Sequence, residues 1–211
     1  MPVVYLIDER FSSSKALLGD VPAADLGFLI GPYLSVTDIV STVTKSLAPP
    51  APATLRRTFS RDAVETLMIT ALRIVAYGDG EELSLGRGID ARNAVELTPL
   101  AALFHGGASA SCLLLGCEVS SGSQRERFLG GTATAHRLAA PSSLCEVGDV
   151  NMRTGSGYPL LLALARTLGV PVTASLDASC SVRGFQFSGR TITMEPFGQT
   201  AFSGMDSPIS E

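Results

Sequence analysis

The chain has 211 residues, 45% of them hydrophobic and 17% charged, which is enough for one sizeable core and too apolar for extensive disorder. A formal net charge of -4, with no run of Lys or Arg, gives little attraction for phosphate backbones or anionic lipid and argues against nucleic-acid and membrane partners. Four cysteines (Cys112, Cys117, Cys145, Cys180) without C-x-x-C spacing, beside only His105 and His136, argue against a disulfide framework and a structural metal site.

Met1 to Asp8 has no basic region ahead of its apolar residues, and no apolar run approaches the ~20 residues of a membrane span, so a cytoplasmic protein is expected. Val3 to Ile7 predicts a first strand and Leu26 to Ile30 a second. After Gly31-Pro32-Tyr33, a helix is expected to open at Ser35, where Ser35-Val36-Thr37-Asp38 supplies a capping hydroxyl and an acid near the positive end of the dipole. Ile39, Val40, Val43 and Leu47 give that helix its apolar face.

Residues 48–58 form a Pro-rich loop, because proline cannot support a helix interior. A helix from about Ser60 to Thr70 is expected to feed a third strand, Leu72 to Tyr77, followed by a hairpin turned at Asp79-Gly80. Thr98-Pro99 then starts a short helix, with proline at the position it prefers. Ser111 to Gly116 is the most apolar strand, which predicts a central place in the sheet.

Ser123 to Leu138 has helical character weakened by Gly130-Gly131, and 139–157 looks like an irregular insertion. Tyr158 to Leu168 predicts a helix stopped by Gly169, and Val170 to Ser175 a fifth strand. Phe185-Gln186-Phe187 and Thr191 to Met194 are expected to form a terminal hairpin turned at Ser188-Gly189-Arg190. The resulting expectation is one α/β domain over 1–198, a mostly parallel sheet flanked by helices with added β-hairpins, and a flexible tail over 199–211.

In an open α/β sheet, ligands bind beyond the carboxyl ends of the strands, near the place where strand order reverses. That selects one rim: Asp8 and Arg10, Tyr77 to Asp79, Cys117 and Glu118, and Ser175 to Asp177. No cofactor is expected there. The turn after strand one has no glycine for a pyrophosphate, and Gly116 to Gly122 lacks the Lys of a phosphate loop. Gly-x-Ser-x-Gly is absent from any strand-to-helix turn.

The order of elements, with an apolar third strand ending Ala76-Tyr77-Gly78 and an apolar fourth ending Leu115-Gly116-Cys117-Glu118, resembles the caspase and hemoglobinase fold. It is most similar to the caspase-like domains found in large bacterial surface proteins, over roughly residues 3–195. In that group the third strand ends Ser-His-Gly and the fourth ends Gly-Cys. The resemblance therefore implies Cys117 as nucleophile and puts Tyr77 where the base would stand.

Tyrosine cannot fill that role, because a phenol titrating near ~10 is neutral and donates rather than takes a proton at neutral pH. Asp79 or Glu118 at an ordinary carboxyl value would face a thiol near ~8.5 across about four units, roughly 6 kcal/mol uphill. His105 precedes the fourth strand, which puts it at the far end of the sheet, about 17 Å from Cys117. His136 lies well past the first turn of the following helix.

The reading that follows is a catalytically degenerate caspase-like protein, an accessory factor that binds a peptide or protein segment. Its rim would use Tyr77, Gly78, Asp79, Gly116, Glu118, Ser175 and Asp177, with Cys117 as a non-functional remnant. Two alternatives stand beside it. One is an active cysteine peptidase with an unidentified base; the other is a structural module that dimerises through edge strands or hairpins, with Phe185-Gln186-Phe187 as its surface.

Overall fold

The computed structural model describes residues 1–11, 13–48, 68–78, 81–105, 110–116, 157–175, 185 and 191–203. They form an α/β fold around a seven-stranded, mostly parallel sheet flanked by helices. In chain order its elements are β1 (Val3–Asp8), α1 (Ser14–Gly19), β2 (Leu26–Ile30), α2 (Val36–Leu47), β3 (Ala71–Val75), β4 (Glu82–Leu83) and β5 (Ile89–Asp90). A 3-10 turn (Ala94–Leu97) runs into α3 (Thr98–Ala101), followed by β6 (Ser111–Leu115), α4 (Gly157–Leu168), β7 (Val172–Ser175), β8 (Thr191–Met194) and β9 (Thr200–Ser203).

The strand order is β2-β1-β3-β6-β7-β8-β9, with β4 and β5 forming a separate two-stranded hairpin. The first five strands of that order are parallel, and β8 and β9 are antiparallel additions. The chain steps from β1 to β2 on one side and then crosses to β3 on the other, so strand order reverses at the boundary between β1 and β3.

Alternation along each strand divides the core. Val4, Leu6, Leu72, Ile74, Cys112, Leu114, Val172 and Ala174 face one side, where α2, the 3-10 turn, α3 and α4 cover them. Tyr5, Ile7, Val75 and Leu115 face the other, packed with Leu17 of α1, Phe11 and Phe185. Each fully buried Leu or Ile contributes roughly 1.5–3 kcal/mol, so the sheet's stability rests on these two layers. β6 lies in the middle of the order, as its apolar composition predicts, with Cys112 and Leu114 fully buried.

Local signals account for the helix ends. Ser35 accepts from the Asp38 backbone N–H at 3.1 Å while the Asp38 carboxylate accepts from the Ser35 N–H at 3.1 Å, closing a capping box at the start of α2. At the other boundary predicted from a cap, α4 ends at Gly169, which has φ +68.

Several expectations are corrected. A helix reaching Thr70 does not form at its end: Ile69 pairs in a parallel bridge with Phe104, and its N–H donates to the Leu103 carbonyl at 2.7 Å. Ile69 is β-branched and is less restricted in this extended conformation than in a helix. The expected helix over 60–67, the Pro-rich loop beyond Ala48 and the insertion up to 156 lie outside the described residues.

The hairpin partner of Thr191 to Met194 also differs. β8 pairs with β7 and β9, turning at Glu195 to Gln199, whereas Phe185 is 4% exposed and packs its ring against Tyr5, centroids 4.4 Å apart and planes tilted by 58°. Phe185 is thus a core residue and cannot be an exposed docking surface. The segment expected as a tail from 199 instead carries β9, because Thr200 to Ser203 completes the antiparallel ladder of β8. α1 has no counterpart in the sequence reading, its six residues being too short to show a helical period.

Candidate functional site

The carboxyl ends of β1, β3 and β6 lie side by side, since Ile7 pairs with Val75 and Val75 with Leu115. Asp8 ends β1, Tyr77 lies two residues past β3, and Gly116 directly follows β6. The fold therefore gathers the strand ends that the sequence marks as one rim. Ser175 closes β7 on the same side, paired with Thr191 and only 1% exposed.

At β1 the rim is built around a buried carboxylate. Asp8 is 1% exposed and receives Arg10 in a two-point contact, Nε to Oδ1 at 2.9 Å and Nη2 to Oδ2 at 2.7 Å. The Arg10 backbone N–H donates to the same Oδ1 at 2.8 Å, so the turn after β1 is closed by the charge it carries. The hydrogen bond to Asp8 raises the Arg10 pKa above its ordinary value, burial opposing this and the charges of Asp8 and Glu82 adding to it.

The same guanidinium reaches the hairpin. Arg10 Nη2 donates to the Ser84 carbonyl at 2.6 Å and to the Gly86 carbonyl at 3.0 Å. Gly86 has φ +62, and a Cβ there would collide with the Leu34 carbonyl oxygen, so the close approach of hairpin and loop requires glycine. Arg87 completes the junction, its N–H donating to Leu34 at 2.9 Å and its Nε to the Tyr33 carbonyl at 2.9 Å. The hairpin thus arches from β3 across the end of β1 to the loop after β2, seated on fully buried Leu85 and Ile89.

Tyr77 is 41% exposed at the edge of this junction. Its ring meets Phe11 at 4.9 Å between centroids, tilted by 33°, and its carbonyl accepts from Ser84 N–H at 2.8 Å. Gly78 is buried and bridges to Leu83 in an antiparallel pairing. This bridge follows β3 and the β4/β5 hairpin continues it through Gly86, while the turn expected at Asp79-Gly80 lies outside the described residues.

Of the residues marked in the sequence, Tyr77, Gly78, Gly116 and Ser175 are thus placed at carboxyl strand ends. Asp79, Cys117, Glu118 and Asp177 lie outside the described residues, as does His136. His105 is exposed and its N–H donates to the Ile69 carbonyl at 3.0 Å, which puts it at the amino end of β3, the pole opposite Tyr77. Phe11 and Ser84 belong to the rim and were not anticipated. Phe11 follows Arg10 directly, but nothing in a single sequence says that its ring crosses to the residue after β3.

Among the described residues no group of three or more His, Cys, Asp or Glu side chains is arranged to hold a metal ion. No helix among them is long and apolar enough to cross a membrane. The arrangement can present backbone groups and one aromatic face to a ligand lying over β3 and β6. The class is an open, mostly parallel α/β sheet flanked by helices, with the carboxyl ends of its parallel strands gathered at one pole. Compared with protein-family models, with curated proteins and with solved structures, the chain matches none of them.

Proposed function

We propose that this protein is a caspase-like pseudo-peptidase, an accessory factor that holds an extended peptide or protein segment over the ends of β3 and β6 without hydrolysing it. The observation that carries the reading is Tyr77: an exposed, ring-stacked phenol at the end of a parallel strand whose neighbour leads into Gly116 and Cys117. In the family that the chain resembles, a histidine stands there.

Three features support it. The element order on which the resemblance rests includes an apolar β3 followed by a short hairpin, an apolar β6 leading into Gly116-Cys117, and a later helix and strand, α4 and β7. The one described histidine, His105, lies at the other pole, too far to take a proton from a thiol beside Gly116. Backbone groups at strand and hairpin ends can supply much of the attraction for an extended peptide, with an aromatic face as anchor.

A library of extended peptides screened for binding to the wild-type chain and to Tyr77→Ala tests this. Binding at micromolar concentration that the substitution weakens, with no cleavage products by mass spectrometry, is the expected result. Cleavage that depends on Cys117 would instead establish an active peptidase. No binding at all, together with self-association blocked by changes at β9, would favour a structural module.

A further inference from the structure

We propose that Arg10 is a positioning residue: it closes the crevice at the strand-order reversal and sets Tyr77 beside the ends of β3 and β6. In open α/β sheets ligands usually bind where strand order reverses, which in this chain is the β1/β3 boundary. Here that boundary is spanned by the chain's own groups. The guanidinium ties the Asp8 carboxylate at the end of β1 to the Ser84 and Gly86 carbonyls of the hairpin that follows β3.

Two short paths lead from Arg10 to Tyr77. One runs through the backbone, Arg10 Nη2 to the Ser84 carbonyl at 2.6 Å and Ser84 N–H to the Tyr77 carbonyl at 2.8 Å. The other runs through the neighbouring side chain, Phe11 against the Tyr77 ring. Residues 10 and 11 therefore hold Tyr77 by its main chain and its ring together. A lysine could not do the same, because a single ammonium lacks the planar fork that meets both carboxylate oxygens while reaching two carbonyls.

The charge of Arg10 is already matched by Asp8, so it serves as a brace and not as a free cation for a ligand. A ligand is thereby displaced from the usual crevice toward β3 and β6. This last point rests on the peptide-binding reading above; the brace itself does not.

The experiment compares the full chain with Arg10→Lys and with the double variant Asp8→Asn/Arg10→Gln, which removes both charges and leaves no buried carboxylate unpaired. Hydrogen exchange is followed by mass spectrometry, and the Phe11–Tyr77 ring contact by nuclear Overhauser effects. Amides of 84–89 are expected to exchange at least roughly tenfold faster in both variants, the loss of hydrogen bonds to a charged group opening that unit alone. Amides of β6 should be unchanged and the ring contact weakened.

Unchanged exchange over 84–89 with an intact ring contact in the folded double variant would overturn the brace, as would uniform acceleration across β6 in both variants. If the variants show the expected exchange but no peptide binds the wild type, the peptide-binding reading fails and the brace stands. If a peptide binds equally well to wild type and double variant while exchange changes as expected, the brace holds the hairpin but does not position Tyr77, and the proposal fails in that part.

Discussion

Phe11 and Tyr77 lie 66 residues apart in the chain, yet their rings meet at 4.9 Å between centroids with a 33° tilt. Phe11 is 9% exposed and Tyr77 41%, so one ring is a buried floor and the other a half-open face laid on it. Such a pair restricts the upper ring to few orientations, and a ligand meeting Tyr77 has little ordering cost left to meet.

Replacing Tyr77 with Ala should therefore weaken a peptide selected on the wild type by about 1 kcal/mol or more, while Tyr77→Phe keeps most of the affinity. Isothermal titration of both variants checks this. Equal losses in the two would assign the effect to the hydroxyl, contrary to expectation.

Tyr77→His supplies the imidazole that the resemblance implies has been lost. A thiol with a pKa near ~8.5 is about 1% thiolate at pH 6.5, and lowering that value by one unit raises the reactive fraction roughly tenfold. Iodoacetamide labelling of Cys117, read by peptide mass spectrometry across pH, should show that acceleration in the variant. Rapid labelling of Cys117 in the wild type below neutral pH would count against the degenerate reading.

Cys112 should behave in the opposite way. It is fully buried in β6, and desolvation pushes its thiol from an ordinary 9.0 up to about 12. The native state should protect it from alkylation until the sheet unfolds. Because the unfolded chain releases this proton near 9 and the native one only near 12, the contribution to stability is complete below pH 9 and lost progressively between those values. Chemical denaturation from pH 8 upward, compared between wild type and Cys112→Ala, isolates that slope.

At the start of α2 the direction of the pH effect reverses. The Ser35 hydroxyl, and then its backbone N–H, hold the Asp38 carboxyl below its ordinary 3.8, Arg87 adding to this and slight desolvation opposing it. The capping box therefore stabilises above that value and fades as pH falls below it through the lowered pKa. Melting temperatures of wild type and Ser35→Ala should differ most near neutrality and draw closer under acid, a residual difference remaining because the Asp38 N–H bond to the Ser35 hydroxyl does not titrate.

Ile74→Ala probes the layer beneath the rim. Ile74 is 1% exposed and pairs with Leu6 and Leu114 on the two neighbouring strands, so truncation leaves a cavity bordered by strands that cannot close. A loss of about 2–5 kcal/mol in urea unfolding is expected.

Strand existence was legible wherever an apolar run stood between turn residues: β1, β2, β3, β6 and β7 are near the positions their composition predicts, as are the cap at Ser35 and the stop at Gly169. What a single sequence concealed was pairing. Thr191 to Met194 reads as a strand, but its alternation fits several partners equally well, and the choice of β7 and β9 over Phe185–Phe187 depends on contacts distant in the chain. Arg10 was visible as a rim residue, whereas its hold on Ser84 and Gly86 was not. A hydrogen bond to a carbonyl leaves no residue preference on the accepting side.

The reversal of β8 divides the surface between two poles. Thr191 stands beside Ser175, but Met194 stands beside Val172, so the turn that follows lies at the amino end of the parallel strands, with Phe197 92% exposed there. Tyr77 occupies the opposite end. A label, tether or fusion placed at residue 197 would therefore be attached at the pole opposite Tyr77, away from the Arg10 junction.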